Sequence, residues 1–177
     1  MANIDWPAGL RPVRNGKAGT APRITKYTRS STGVLYEGAP CYLASTGPAV
    51  AAQTTMDPAV LGAVAAYVGA SETEVFVYDD PDQEYEIQGD SAVTTPIAVI
   101  GQYCNPLNPT TGNDTTLQSK CELDTSECTS AQGDGDIFQI VRLVDEESND
   151  QDAANAKWIV KISEASHVFT SGGTISA

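Results

Sequence analysis

The chain has 177 residues, 41% of them hydrophobic, so it is long enough for one domain with a substantial apolar core. Fifteen glycines and ten prolines favour a turn-rich β fold over a helical one. No apolar run approaches the roughly 20 residues that span a bilayer, and residues 1–7 lack the charged-then-apolar pattern of a secretion signal. We therefore expect a protein that is made in a cytoplasm and has no membrane partner.

The formal net charge of −13 is distributed unevenly along the chain. Residues 1–33 carry six cations and one acid, whereas residues 34–177 carry four cations and 22 acids. An acidic body repels phosphate groups, so we expect no nucleic-acid partner for it. From its charge alone, the basic first part is a solvated tail, a nucleic-acid contact or a contact for an acidic protein surface.

Residues 1–33 predict an extended basic N-terminal arm. Pro7, Pro12 and Pro22 exclude a long helix and interrupt strand pairing. Trp6 and Leu10 are apolar anchors in an otherwise polar ribbon. We expect such an arm to become ordered against another molecule, and the body, residues 34–177, to fold without it.

The first strands of the body are short. Residues 34–45 predict a strand that is interrupted near Gly38, and residues 50–55 predict a weaker strand. The run 57–69 is ambiguous, because its first two residues, Asp and Pro, fit the start of a helix. Its β-branched valines and the interior Gly62 favour a strand, and we predict a buried strand here.

Residues 74–90 give the clearest local pattern in the sequence. Residues 75–78 are β-branched or aromatic, residues 79–82 (Asp-Asp-Pro-Asp) have turn chemistry, and residues 83–88 alternate between polar and apolar types. This order predicts a β-hairpin at the centre of an antiparallel β domain.

The remaining body combines strong strands with one long loop. Residues 96–101 predict another buried strand, whereas residues 104–133 are rich in turn formers and predict a loop. Loops of this length in a compact domain often bind something. Residues 136–144 and 156–162 predict two strands that pair across the acidic turn at 145–152.

The four cysteines do not have the spacing of a zinc site. They are Cys41, Cys104, Cys121 and Cys128, and none forms the tight C-x2-C pair that zinc ligands usually have. Cys121 and Cys128 can close a small disulfide loop if the protein matures outside a reducing cytoplasm. Unpaired thiols are the default expectation.

Catalytic signals are few. The one histidine, His167, lies near the C-terminus, and there is no G-x-S-x-G elbow, Walker loop or G-x-G-x-x-G motif. The acidic clusters at 79–82 and 134–136 are candidates for Ca²⁺, but neither has the twelve-residue EF-hand pattern. We therefore predict no enzyme activity, no cofactor and no metal site.

Several short segments, taken in order, resemble one protein family. They are Leu10-Arg-Pro-Val13, Leu35-Tyr-Glu-Gly-Ala-Pro-Cys-Tyr-Leu-Ala44, Leu61-Gly-Ala-Val64, Val77-Tyr-Asp-Asp-Pro-Asp-Gln-Glu-Tyr-Glu-Ile-Gln88, Ile140-Val-Arg-Leu-Val144 and Ala156-Lys-Trp-Ile-Val-Lys-Ile162. This series is similar to the small head decoration, or capsid cement, proteins of tailed bacteriophages. Residues 104–133, with three of the four cysteines, match nothing in that pattern.

The resemblance implies an all-β virion protein: a compact antiparallel β-barrel or sandwich-like body with an extended N-terminal arm. Such a protein binds the outer surface of an icosahedral head in many copies, is assembled in the host cytoplasm and stabilises the shell. The expected partners are the major capsid protein and further copies of the chain, as a dimer or trimer.

The basic arm supplies the expected capsid contact by charge complementarity and apolar burial. The predicted contact residues are Trp6, Leu10, Arg11, Val13, Arg14, Arg23, Ile24, Lys26, Tyr27 and Arg29. One alternative is a carbohydrate-binding or adhesion β module that uses residues 104–133. Another is a small hydrolase that uses an acidic pair.

Overall fold

The protein is all-β, as predicted. The structure is a computed structural model, and it describes residues 2–15, 19, 21–30, 33–43, 49–52, 60–132 and 136–170. The strands are β1 (Arg11–Asn15), β2 (Ile24–Arg29), β3 (Pro40–Leu43), β4 (Ala49–Ala52), β5 (Val60–Val64), β6 (Glu74–Tyr78), β7 (Gln83–Gln88), β8 (Tyr103–Cys104), β9 (Pro106–Leu107), β10 (Gly112–Asn113), β11 (Gln118–Ser119), β12 (Glu122–Leu123), β13 (Phe138–Leu143) and β14 (Lys157–Ile162). Among these residues, no helix is both long and apolar enough to cross a bilayer.

Five strands form an open antiparallel sheet in the order β1-β7-β14-β13-β8. The predicted pairing of the two strong late strands is confirmed, because β13 pairs with β14 from Phe138 opposite Ile162 to Leu143 opposite Trp158. A bulge between Ile140 and Arg142 shifts the register of this pair.

The second sheet runs in the order β2-β4-β3-β5-β6, and β6 also pairs with β2. All of these pairs are antiparallel except β2 with β4, which is parallel and covers only Thr28 opposite Ala49 and Arg29 opposite Val50. The sheet therefore curls until its first and last strands meet, and the β2–β4 seam is as short as the β5–β6 junction, which also covers two residue pairs.

Strand β5 is buried along its whole length because it lies between two apolar cores. Val60 and Ala63 join the larger core, which covers the inner face of the five-stranded sheet. Leu61 and Val64 join the smaller core inside the curled sheet. This position explains the continuous apolar run of β5, and the predicted buried strand is confirmed.

The predicted hairpin at 74–90 is wrong in its pairing, although both of its strands exist. Strand β6 belongs to the curled sheet and β7 to the open sheet. The predicted turn is present, since Gln83 N donates to Asp80 O at 3.0 Å and Asp82 N donates to Asp80 Oδ1 at 3.0 Å. This turn carries the chain from one sheet to the other.

The strand predicted at 96–101 is also wrong. Pro96–Val99 forms one 3-10 turn, with Pro at its start, and its Ile97 is 79% exposed. Proline has no N–H group and fixes φ, so it fits the first turn of a helix better than the interior of a buried strand.

The N-terminal residues are extended, but they pair with the body. Strand β1 lies beside β7, and β2 lies beside β6. Leu10 is 1% exposed, and its N–H donates to Gly38 O at 2.8 Å. The expectation that this segment becomes ordered only against another molecule is therefore wrong for β1 and β2, and the boundary predicted at residue 33 has no counterpart in the strand pairing.

The segment predicted as a long loop packs against the rest of the body over residues 104–132. It forms two short ribbons, β10 with β11 and β12 with β9. Its Leu123 and Cys121 are buried in the larger core. The structure also pairs Cys104 with Cys128 in a disulfide, whereas Cys41 and Cys121 are free and buried. The pairing of Cys121 with Cys128 considered above is therefore wrong.

Candidate interaction surface

The two faces of the five-stranded sheet have different chemistry, because side chains alternate along each strand. In β7, Tyr85 and Ile87 enter the larger core, so Glu84 and Glu86 point to the opposite, outer face. The same alternation in β14 places Trp158 in the core and its lysines on the outer face.

The register joins these outer residues into rows that cross the sheet. Glu86 lies opposite Arg11 of β1 and Ile159 of β14, and Ile159 lies opposite Arg142 of β13. Residues that are directly opposite in a sheet point to the same face. Arg11 and Arg142 therefore lie on one face, although 130 positions separate them in the sequence.

The next row repeats this charge pattern. Glu84 lies opposite Arg14 of β1 and Lys161 of β14, and Lys161 lies opposite Gln139 of β13. Lys157, at the other end of β14, lies opposite Gln88. We call this surface the basic face; its charged residues are Arg11, Arg14, Glu84, Glu86, Arg142, Lys157 and Lys161.

The basic face carries an excess of positive charge on an acidic protein. Its five cations and two acids give a formal charge of +3, whereas the whole chain has −13. Half of the ten cations of the chain are gathered here. A local field of opposite sign to the net charge favours association with an acidic surface.

The ion pairs within the basic face leave this excess in place. Glu84 is 7% exposed, and its Oε2 accepts from both Arg14 Nε, at 3.3 Å, and Arg142 Nη1. Glu86 Oε1 lies 3.4 Å from Arg11 Nη1 and 3.9 Å from Lys157 Nζ. Each carboxylate thus contacts two cations. It positions both of them but can neutralise the charge of only one.

Two cations differ in how they are compensated. Lys157 also contacts Glu146 Oε2 at 3.2 Å, and both side chains are well exposed. Among the residues that the structure describes, the ion pairs do not include Lys161. Its charge is therefore the least compensated on the face, and exposed pairs such as Lys157 with Glu146 hold their partners only weakly.

An exposed tryptophan stands at one end of the basic face. Trp6 is 62% exposed and borders two cavities. The larger has a volume of about 550 Å³ and is also lined by Arg11, Glu86 and Lys157, so it opens onto the basic face. The smaller has a volume of about 340 Å³ and is lined on its far side by residues of the 108–122 segment, including Lys120.

Side-chain amides of Gln88 and Asn3 hold the segment that carries Trp6 to the body. Gln88 Nε2 donates to Ile4 O at 2.7 Å, and Gln88 Oε1 accepts from Trp6 N at 3.0 Å. Asn3 Nδ2 donates to Asp150 O at 2.8 Å, and Asn3 Oδ1 accepts from Asp150 N at 2.8 Å. The backbone is fixed by these bonds, so the indole is presented to solvent from an ordered position.

The structure separates the predicted contact residues into three groups. Trp6, Arg11, Val13 and Arg14 lie on or beside the basic face, and Val13 is exposed at the bulge of β1. Ile24, Lys26 and Tyr27 lie on β2 in the other sheet, where Lys26 Nζ pairs with Glu74 Oε1 at 2.8 Å. Leu10, Arg23 and Arg29 bond or pack within the protein.

Arg23 and Tyr27 are used internally by the buried carboxylate of Asp79. Arg23 Nε donates to Asp79 Oδ1 at 2.9 Å, Thr25 Oγ1 donates to the same oxygen at 3.0 Å, and Tyr27 Oη donates to Oδ2. Burial and the bond to Asp79 raise the pKa of the Tyr27 hydroxyl. These side chains attach β2 to the turn between the sheets.

Arg29 and Leu10 are wrong as surface contacts, since both are buried. The Arg29 side chain, 8% exposed, donates from Nη1 to the carbonyls of Gly69, at 2.5 Å, and Glu72, at 3.2 Å. It closes the turn before β6. Leu10 packs in the larger core. Neither side chain can reach a partner without unfolding the local structure.

The residues considered for chemistry are also accounted for. His167 is buried, its Nδ1 accepts from Phe169 N at 3.2 Å, and burial lowers its pKa to about 4. Within the described ranges, no group of three potential ligands is placed to hold a metal ion. Of the two acidic clusters, Asp79 is engaged with Arg23, and Asp134 lies outside the described residues.

Arg142, Lys157 and Lys161 were not among the predicted contact residues. Their alternation within 138–143 and 157–162 was visible and places each on the outer face of its own strand. The alternation pattern does not show which strands are neighbours, because pairing with β7 and β1 arises from contacts more than 50 residues apart in the sequence.

No protein-family model and no curated protein matches the chain.

Proposed function

We propose that this protein is a non-enzymatic capsid decoration protein, which binds the outer surface of an icosahedral phage head in many copies and stabilises it. The partner is the major capsid protein, and the contact is made by the basic face together with Trp6. The proposal combines the family resemblance with one structural observation: a surface of formal charge +3 on a protein of charge −13.

This charge arrangement suits a particle-bound protein. A net negative charge keeps the protein soluble before it binds. The basic face gives each copy one orientation in which it is attracted to an acidic shell. Multiple copies on a symmetric shell then need only moderate affinity at each site.

The contact set differs from the one predicted by sequence. Arg23, Arg29 and Leu10 are withdrawn because they bond or pack internally. Ile24, Lys26 and Tyr27 are withdrawn because they lie on β2, in the other sheet. Three cations of the body, Arg142, Lys157 and Lys161, replace them on the surface. Trp6 remains as the apolar anchor, since exposed tryptophans are over-represented among residues that dominate binding energies.

The direct test measures binding to heads that were assembled without this protein. The double variant Arg11→Gln/Lys161→Gln removes two positive charges from the basic face but keeps the buried Glu84 with both of its arginines. We expect about tenfold weaker binding to heads at low salt and a weaker dependence on salt concentration. Co-sedimentation of labelled protein with heads gives the dissociation constant.

The matched control compares one charge at a time: Lys26→Gln removes a positive charge from β2 in the curled sheet, and Lys161→Gln removes one from the basic face. We expect Lys26→Gln to bind heads as the wild type does. Equal weakening by Lys26→Gln and Lys161→Gln would show that only net charge matters and would overturn the assignment to the basic face. Failure of the wild-type protein to bind heads at all would overturn the proposed function itself.

A further inference from the structure

The disulfide between Cys104 and Cys128 joins two places that the fold already holds together. Its Cα atoms are 4.6 Å apart, and it encloses a segment of the chain across a separation of 24 residues. Cys104 lies in β8, which pairs with β13 through Cys104 opposite Phe138. Thr129 lies beside Tyr103, with a backbone hydrogen bond of 2.9 Å in each direction.

These contacts position the two sulfur atoms without the covalent bond. Asp124 N donates to Asn105 O at 2.9 Å, and Gly89 and Leu123 form a further bridge that holds the enclosed segment to the end of β7. The larger core also contains many apolar side chains besides the cysteines. A reduced chain therefore has enough other contacts to reach the same fold.

We propose that the protein folds and docks with both thiols reduced, and that the Cys104–Cys128 bond forms afterwards, outside the reducing cytoplasm, and locks residues 105–127 in place. This inference rests on the proposed function, which places assembly inside a host cell and the finished particle outside it. Glutathione keeps thiols reduced in a cytoplasm, whereas disulfides persist in oxidising surroundings.

The difference in burial gives the order of the chemical steps. Cys128 is partly exposed and Cys104 is fully buried. The Cys128 thiolate attacks one sulfur of a small disulfide such as oxidised glutathione, and one glutathione thiolate leaves. The Cys104 thiolate then attacks the Cys128 sulfur and displaces the second glutathione. Two cysteine thiols lose their protons and are oxidised, and one small disulfide is reduced to two thiols.

The third cysteine of the core does not compete for this bond. Cys121 belongs to the same apolar core and is fully buried, and burial raises the pKa of its thiol. Cys104 is equally buried, so position selects the partner: the fold holds Cys128 beside Cys104, with their Cα atoms 4.6 Å apart, and leaves Cys121 free. Cys41 lies in the other core, inside the curled sheet.

The test follows the thiols of the full chain expressed in a bacterial cytoplasm. Cells are quenched in acid, free thiols are alkylated, and peptides are identified by mass spectrometry. We expect all four cysteines to be alkylated. After incubation of the native protein with oxidised glutathione, only Cys104 and Cys128 should be protected, and the melting temperature should rise by about 10 °C.

Two variants serve as controls. Cys121→Ala should gain the same bond and a similar rise in melting temperature, whereas Cys128→Ser should gain neither. If Cys128→Ser fails to fold, the reduced wild type with its measured melting temperature still provides the comparison. This experiment uses no heads, so its result is independent of the binding assay for the proposed function.

Four outcomes would overturn the inference. They are a bond already present in the quenched cells, a reduced wild type that is unfolded, oxidation that produces no bond, and a bond that involves Cys121. The predicted combination, reduced and folded in cells but bonded after oxidation, supports it.

Discussion

Arg23 Nε lies 2.9 Å from Asp79 Oδ1, and this pair connects strand β2 to the turn at which the chain passes from the curled sheet to the open one. Asp79 is almost completely buried, whereas Arg23 is about half exposed. A buried carboxylate depends on its donors, because without them it would be a desolvated and uncompensated charge.

We expect Asp79→Ala to destabilise the protein by about 3 kcal/mol, since the substitution leaves Arg23, Thr25 and Tyr27 without their shared acceptor. Urea unfolding followed by tryptophan fluorescence measures the change. Asp145→Ala, at an exposed acid of the 145–152 turn, is the control and should change the free energy of unfolding by less than about 0.5 kcal/mol. Equal effects of the two substitutions would contradict the role given to Asp79.

Gly62 is predicted to be intolerant of any side chain. A Cβ atom at this position would lie 1.9 Å from Tyr78 O, a backbone atom of the neighbouring strand. We expect Gly62→Ala to cost more than about 3 kcal/mol, because β5 and β6 would have to separate. Gly33→Ala, where a Cβ meets nothing within 4 Å, is the control. A Gly62→Ala protein with the melting temperature of the wild type would show that β5 and β6 have room for a Cβ atom at this position, contrary to the prediction.

His167 makes the protein less stable in mild acid. Its pKa is lowered from an ordinary value near 6.5 to about 4, chiefly by burial, which the nearby Asp79 and Asp80 only partly oppose. Well above pH 6.5 the residue is neutral in both states and adds no pH dependence. Between pH 6.5 and about 4 the unfolded chain takes up a proton that the folded chain does not, so stability falls as the pH falls.

The size of this effect is about 3 kcal/mol across that pH range. The variant His167→Leu lacks the titrating group, so its free energy of unfolding should decline less steeply than that of the wild type between pH 6.5 and 4. Urea unfolding at several pH values gives both curves. The carboxylates titrate in both proteins and cancel in the comparison. Parallel curves of unfolding free energy against pH for the two proteins would contradict the prediction.

Truncation of Leu10 should reduce stability, whereas truncation of Trp6, four residues away, should reduce binding to heads. Leu10→Ala removes a core side chain and should cost about 3 kcal/mol of stability. Trp6→Ala removes a side chain that is 62% exposed and should cost less than about 1 kcal/mol, but it should weaken head binding at least tenfold. Thermal unfolding and co-sedimentation with heads measure the two properties. A Trp6→Ala protein that binds heads normally would remove Trp6 from the contact surface.

Much of the secondary structure could be predicted from local patterns. The alternation of apolar and polar residues in β13 and β14 is typical of strands, and the acidic turn between them favoured their pairing. The apolar run of β5 also fitted a helix, and its β-branched valines favoured the strand. The 96–101 prediction failed because a short apolar run looks the same in a strand and in a turn. Pro96 was the signal that favoured the turn.

The candidate site was harder to predict, because it depends on which strands become neighbours. The charge of residues 1–33 suggested a separate arm. In the structure, Arg14 pairs with Glu84 and Arg11 pairs with Glu86, so this segment is part of the sheet. No local pattern in β1 identifies β7 as its partner. The hairpin at 74–90 failed for a related reason, since turn chemistry at 79–82 shows that the chain reverses but not which sheet it enters.

The pairing of β1 with β7 also constrains the order in which the chain can fold. Arg11 meets Glu86, 75 residues further along, and Glu84 meets Arg142 after a further 58. During synthesis the five cations of the basic face emerge in two widely separated groups, and the early group has no acidic partners until β7 has been made. Sheets built from such distant segments fold slowly. Before β7 has been made, a chaperone or a stray polyanion can therefore bind the basic segment and compete with its pairing in the native fold.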